Sequence, residues 1–366
     1  MRTTSGKRRV TDLFGVTPYL ILLLFFCLPK QTVWAQITQR NILQKLDSNR
    51  IREAVIAQNN WKPFPDSPEE WRAQLPDTVI QRLLRAGEDA LKFEFKSLPA
   101  TLTLEYVREG NRTRYEKLSF EKRNKLFDLA LAEAVEGKGR FADAIANGVW
   151  SICEESYWGV TAHIGIQKAG PGLPDVTDPT VDLFTAETAS VLAWTDYFAG
   201  PALEKVSKLL RPRIYAEVNR RVFEPLLTAK YSYLGAGNPN DKLNNWAPWV
   251  MSNYLNALYL LEKDGAKRAH GTRLAMRYVD QYINGLGDDG GCDEGPSYWS
   301  AAGACVFDAL NLLDDFTGGK INVYDQPIIR NMGAYIYKTH ISGRYFINVS
   351  DASPQITPDG YMVFRF

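Results

Sequence analysis

Four short stretches of this chain concentrate residue types that can move protons or hold a charged ligand. The most specific is Asp288-Asp289-Gly290-Gly291-Cys292-Asp293-Glu294-Gly295-Pro296-Ser297-Tyr298-Trp299. Its glycines allow the backbone to come close to a ligand, and Pro296 suits the first turn of a helix. Tyr298 would then stand at a helix start, its phenol open to a cleft, with Glu294 and Trp299 beside it as substrate contacts. The plain alternative is an ordinary flexible connection followed by two helix-packing aromatics.

A second stretch, Leu243-Asn244-Asn245-Trp246-Ala247-Pro248-Trp249, opens a helix. Adjacent asparagines there can be simple N-caps. Trp246 and Trp249 add ligand-facing area, and an amide at a helix N-terminus is well suited to hold a carboxylate. The third stretch runs Trp150-Ser151-Ile152-Cys153-Glu154-Glu155-Ser156-Tyr157-Trp158-Gly159 and on to His163. It sits at a helix end, from which Glu154, Tyr157, Trp158 and His163 would project into a cleft. A satisfied histidine and two solvated carboxylates explain the same pattern. In the fourth, Asp182, Glu187 and Trp194 share a helix with apolar neighbours at helical spacing. Glu187 either orients another site residue or is simply an exposed carboxylate.

The elements that must carry these stretches are mostly helical. After a short helix near 47–60, a Pro-punctuated turn near 63–68 and a helix near 78–91, the alternating run Thr101-Leu102-Thr103-Leu104-Glu105-Tyr106-Val107 predicts a strand, hairpinned through Gly110-Asn111 to the Arg114–Leu118 region. From residue 119 onward the spacing predicts helices near 120–136, 140–158, 181–199, 202–227, 244–263, 266–284, 297–315 and 326–339. Breaks are expected at Gly200-Pro201, Gly265 and 285–291, and Pro212 should kink or divide its segment. Consecutive helices of similar length joined by loops predict a mainly α chain, an α/α toroid or incomplete barrel of helical hairpins. Two runs near the C-terminus, Tyr345–Ser350 and Gly360–Phe364, read as strands, the beginning of a C-terminal β region. The expected layout is a signal peptide over 1–35, a mixed segment over 36–118, the toroid over 119–340 and a truncated β domain over 341–366.

The leader rests on Lys7-Arg8-Arg9, the apolar run Tyr19–Leu28 and a small-residue cleavage site at Ala35 with Val33 two positions before it. The apolar run is short for a bilayer span, and Phe26 is bulky for lipidation at Cys27. A periplasmic or secreted protein of 331 residues, with no stable membrane span after leader removal, is the expectation. With 43 Lys and Arg against 42 Asp and Glu, no net basic field is available for nucleic acid. Cys153, Cys292 and Cys305 form neither a disulfide framework nor a zinc pattern, and no metal or cofactor is implied. Aromatics make up 12% of the chain and crowd into stretches that also carry polar groups. Saccharide sites are often built so, because the C–H face of a sugar ring packs on an aromatic plane while amides and carboxylates bond its hydroxyls.

Asn244-Asn245-Trp246, the Asp289–Trp299 loop, and the segments Leu173-Pro174-Asp175 and Asp182-Leu183-Phe184 through Glu187-Thr188 resemble the heparinase II/III-like polysaccharide lyases over roughly residues 140–366. That resemblance implies a helical toroid followed by an antiparallel β domain, and cleavage of a uronic-acid-containing polysaccharide by β-elimination. The chemistry needs neutralisation of the uronate carboxylate, a base for the C5 proton and an acid for the leaving oxygen at C4. Carried over, Tyr298 is the acid and often also the base, and Asn244 is the neutralising amide, with Asn245 its close competitor. His163 matches the family's first cluster. The chain departs from the pattern in the histidine that members usually contribute from the β domain, which neither His270 nor His340 supplies.

Two other readings compete. A toroidal glycoside hydrolase needs paired carboxylates, for which Asp289, Asp293, Glu294, Glu154 and Glu187 are available. A non-catalytic glycan-binding protein would bind saccharide without turnover.

Overall fold

In a computed structural model, residues 39–366 are described, and the leader expected over 1–35 lies outside them. Asp47 accepts hydrogen bonds from the Asn49 and Arg50 amides and starts α1 (Ser48–Ala57). Then follow α2 (Pro68–Gln74), α3 (Asp77–Ala90), α4 (Ala100–Glu109), α5 (Thr113–Glu136), α6 (Ala142–Cys153), α7 (Leu183–Val206), α8 (Leu210–Val218), a π turn (Asn219–Phe223), α9 (Glu224–Thr228), α10 (Trp246–Leu261), α11 (Gly265–Asn284), α12 (Gly303–Phe316), α13 (Pro327–Lys338) and α14 (Gly360–Arg365). The chain is mainly α.

Four helices, α5, α7, α10 and α12, pack in sequence to form an inner row. α7 and α10 bury residues around most of their circumference, as helices covered on both sides must. The outer layer places α3 against α5, α6 against both α5 and α7, α8 against α7, and α11 against α10, with α1 outside α11. No comparable seam joins α5 to α12 among the described residues, so the two layers form an open arc, an incomplete toroid. One continuous core runs through it, from Ile42 to Phe346. Segment 39–118 supplies outer helices of this arc and, from Thr113, the first residues of the inner helix α5.

The strand expected at Thr101–Val107 is the helix α4. Seven alternating residues leave the period ambiguous. The helix begins after Pro99, ends at Gly110 and is tied to the start of α5 by Arg114, which pairs with Glu105 at 2.6 Å and Glu109 at 3.1 Å. The break expected at Gly200-Pro201 does not occur either, because α7 continues through Pro201. Arg211 spans that point, bonding Asp196 at 2.7 Å on one side and Glu204 at 2.8 Å on the other. Pro212 lies in the first turn of α8, and the division falls instead just before that helix, at 207–209.

The β region is smaller than expected. His340–Ser342 (β1) and Tyr345–Phe346 (β2) form a two-stranded antiparallel hairpin. Gly360–Phe364 is helical, because Asp359 caps α14 by accepting the Met362 amide at 2.9 Å. No described helix is long and apolar enough to cross a membrane. The three described cysteines, Cys153, Cys292 and Cys305, are free thiols.

Candidate functional site

The site is built where the N-terminal parts of the inner helices meet. Asp182 caps α7, its Oδ1 accepting the Thr185 amide at 2.8 Å. Its Oδ2 accepts the Val160 amide at 3.2 Å and lies 2.8 Å from His163 Nδ1. Asp182 is fully buried, and it approaches the 157–160 turn this closely because residue 159 is glycine. A Cβ there would collide with Asp182 Oδ1 and Tyr157 Oη. A carboxylate at Nδ1 favours a proton on that nitrogen and leaves Nε2 as the ring nitrogen on the other side. The ring is held between aromatics: Phe184 lies parallel to it at 5.9 Å, and Trp246 is tilted over it at 4.4 Å.

Trp246 is the first residue of α10, and its amide bonds Asn244 Oδ1 at 3.2 Å. Asn244 is exposed. Asn245 is buried, and its Nδ2 donates to Glu294 Oε2 at 2.6 Å. Its amide nitrogen is therefore engaged, while Oδ1 is buried without a partner, and Asn245 acts as a strut between the start of α10 and the glycine-rich loop. Burial raises the Glu294 carboxyl above its ordinary range, with Asp293 adding to the rise and the Asn245 bond opposing it.

Beyond Glu294 the chain turns through Gly295, at φ +89°, where a side chain would strike the Val349 carbonyl. It then enters a 3-10 turn, Pro296–Ala301, separate from α12 rather than continuous with it. Tyr298 projects from this turn with 37% exposure. Asn244 and Tyr298 are thus both accessible, on segments that the Asn245–Glu294 bond holds together.

Glu187, one turn into α7, accepts Trp249 Nε1–H at 2.7 Å. Burial pushes its carboxyl up to about 6 despite that bond. It lines a recess of about 280 Å³ with Arg123 and Phe184. Glu187 is therefore neither unpartnered nor simply solvated.

Three of the sequence candidates lie elsewhere. Trp158 is 1% exposed, donates to the Ile152 carbonyl at 2.8 Å and stacks under Arg221. Trp299 is 3% exposed and donates to the Met332 carbonyl at 2.9 Å. Both fill seams between helices, their indole N–H groups bonded to backbone carbonyls. Glu154 pairs with Arg213 at 3.2 Å and lines a different cavity. Of the remaining histidines, His340 sits in the β1–β2 hairpin, bonded to the Gly343 carbonyl, and His270 is on outer helix α11. Sequence reasoning gave no role to Asp182 or Phe184. The signal available was the N-cap pattern of Asp182 three residues before Thr185.

No protein-family model matches the chain, and no curated protein does so either.

Proposed function

We propose that this chain is an exported polysaccharide lyase, periplasmic or secreted, that cleaves a uronic-acid-containing polysaccharide by β-elimination. The observation that carries the reading is the His163–Asp182 pair, oriented by a buried carboxylate and faced by Trp246. Asn244 and Tyr298 stand exposed on the neighbouring segments. In this mechanism the sugar ring packs on Trp246, and the Asn244 amide bonds the uronate carboxylate, making the C5 proton more acidic. His163 Nε2 removes that proton, and the C–H electron pair becomes the C4–C5 double bond. The C4–O bond breaks, and the Tyr298 phenol gives its proton to the leaving oxygen.

The hydrolase alternative would draw on carboxylates that already have partners: Glu154 is bound to Arg213, Asp293 to Lys242, Glu294 to Asn245, Glu187 to Trp249 and Asp289 to the Gly291 amide. Mass spectrometry of the products separates the two readings. Elimination leaves two fragments that together weigh the same as the substrate, whereas hydrolysis adds one water; fragments heavier by one water would reject the lyase reading.

A further inference from the structure

A cavity of about 750 Å³ opens between the 91–98 stretch, α4, α6 and the Leu173-Pro174 turn. Its volume is that of a ligand site. Phe93 and Phe95 meet edge to face at 5.1 Å on one wall, and Trp150 stands 52% exposed on another. Asn147, Trp150, Ser151 and Glu154 recur at helical spacing along α6 and its end, so one face of that helix presents polar groups beside a Trp150 ring that carries the Arg213 guanidinium over one face, 5.4 Å from its centroid, and leaves the other for a ligand. Tyr157 also lines the cavity.

The charges in this lining select the ligand. No Lys, Arg or His lines the cavity, whereas Glu94, Glu154 and Glu155 do. Each carboxylate already has a cation. Glu155, at the buried end, holds Lys122 Nζ and Arg123 Nη2, both at 2.7 Å. Glu154 holds Arg213 at 3.2 Å, and Glu94 holds Lys96 at 3.0 Å. An anion entering here meets carboxylates and no lining cation. A cation meets carboxylates whose charge is already balanced. What remains is a set of hydrogen-bonding oxygens and the Asn147 amide next to aromatic faces, which suits an uncharged ligand rich in hydroxyls with an apolar ring face.

We infer that this cavity binds an uncharged saccharide, at a site distinct from the His163–Asp182 pair. The inference goes beyond the elimination reading and needs no turnover. The test is isothermal titration of the full chain with neutral trisaccharides from glucan, galactan, mannan and xylan, alongside a uronate trisaccharide. At least one neutral trisaccharide should bind in the millimolar range or tighter. Trp150→Ala, a change at an exposed residue, should weaken that binding about tenfold by removing one stacking face. Asn147→Ala should weaken it further, and neither change should alter uronate binding. The inference is overturned if no neutral trisaccharide binds, if binding survives both substitutions, or if the same substitutions weaken uronate binding equally. Because the readout is the affinity for uncharged sugars, its failure is distinguishable from a failure to detect elimination.

Discussion

Asp182 Oδ2 lies 2.8 Å from His163 Nδ1, and the same carboxylate caps α7 through its other oxygen. One buried side chain therefore fixes both the start of a central helix and the orientation of the imidazole. Helix capping and the setting of the imidazole are coupled at this residue.

That coupling predicts a double loss in Asp182→Asn. An amide nitrogen placed toward His163 and the Val160 amide would set donor against donor, leaving buried groups unsatisfied. Urea unfolding should show a loss of about 2 kcal/mol. Turnover on a uronate substrate should fall about a hundredfold or more, because the imidazole is no longer held in one tautomer.

Glu187 predicts a pH dependence. Its folded pKa of about 6 lies above the value near ~4.3 of an unfolded glutamate. The folded state therefore binds the extra proton, and this contribution is present below about pH 4.3 and is lost as pH rises through about 6. Glu187→Gln keeps an oxygen for Trp249 and removes the titration. Relative to the unsubstituted protein, the variant should gain about 2 kcal/mol between pH 4 and pH 7. Urea midpoints of both proteins at the two pH values check this, and a constant difference would remove Glu187 as the cause.

The two asparagines separate by role. Asn245→Ala deprives the half-buried Glu294 of its amide donor and should cost about 1–3 kcal/mol by thermal or urea unfolding. Asn244→Ala touches an exposed residue and should cost under about 1 kcal/mol, while raising KM and lowering kcat on a uronate substrate.

Trp158 and Trp246 separate in the opposite sense. Trp158→Ala empties a fully buried site and should cost about 3–5 kcal/mol, with saccharide affinity per folded molecule unchanged. Trp246→Ala, at the half-buried ring over His163, should reduce that affinity, as measured by titration with a uronate oligosaccharide.

The arc was legible in the chain wherever apolar spacing was long and capped. α10 and α11 fall within two residues of the ends expected from their pattern, since Asn244-Asn245 and Asp264-Gly265 mark where backbone donors need partners. Short segments were harder to read. At Thr101–Val107 alternation over seven residues fits either period, and the Arg114 ion pairs that favour the helix lie beyond it. The Tyr361–Phe364 run carries no period of its own, and only the Asp359 cap marks it as helical. The exposure of Tyr298 and Asn244 was legible because a glycine-rich loop and a helix start announce it. Trp158 and Trp299 were misplaced because a tryptophan beside polar residues looks alike whether its indole N–H meets a sugar or a backbone carbonyl. The His163–Asp182 and Asn245–Glu294 pairs depend on how loops fold back, which residue spacing does not encode.

The most direct test of the elimination reading follows ultraviolet absorbance while the full chain acts on a panel of uronate-containing polysaccharides. The account predicts rising absorbance from unsaturated uronyl ends on at least one polymer. It also predicts a loss of about a hundredfold or more in Tyr298→Phe, with binding of that polymer retained. Full activity in Tyr298→Phe, or cleavage of a uronate polymer without new double bonds, would contradict it.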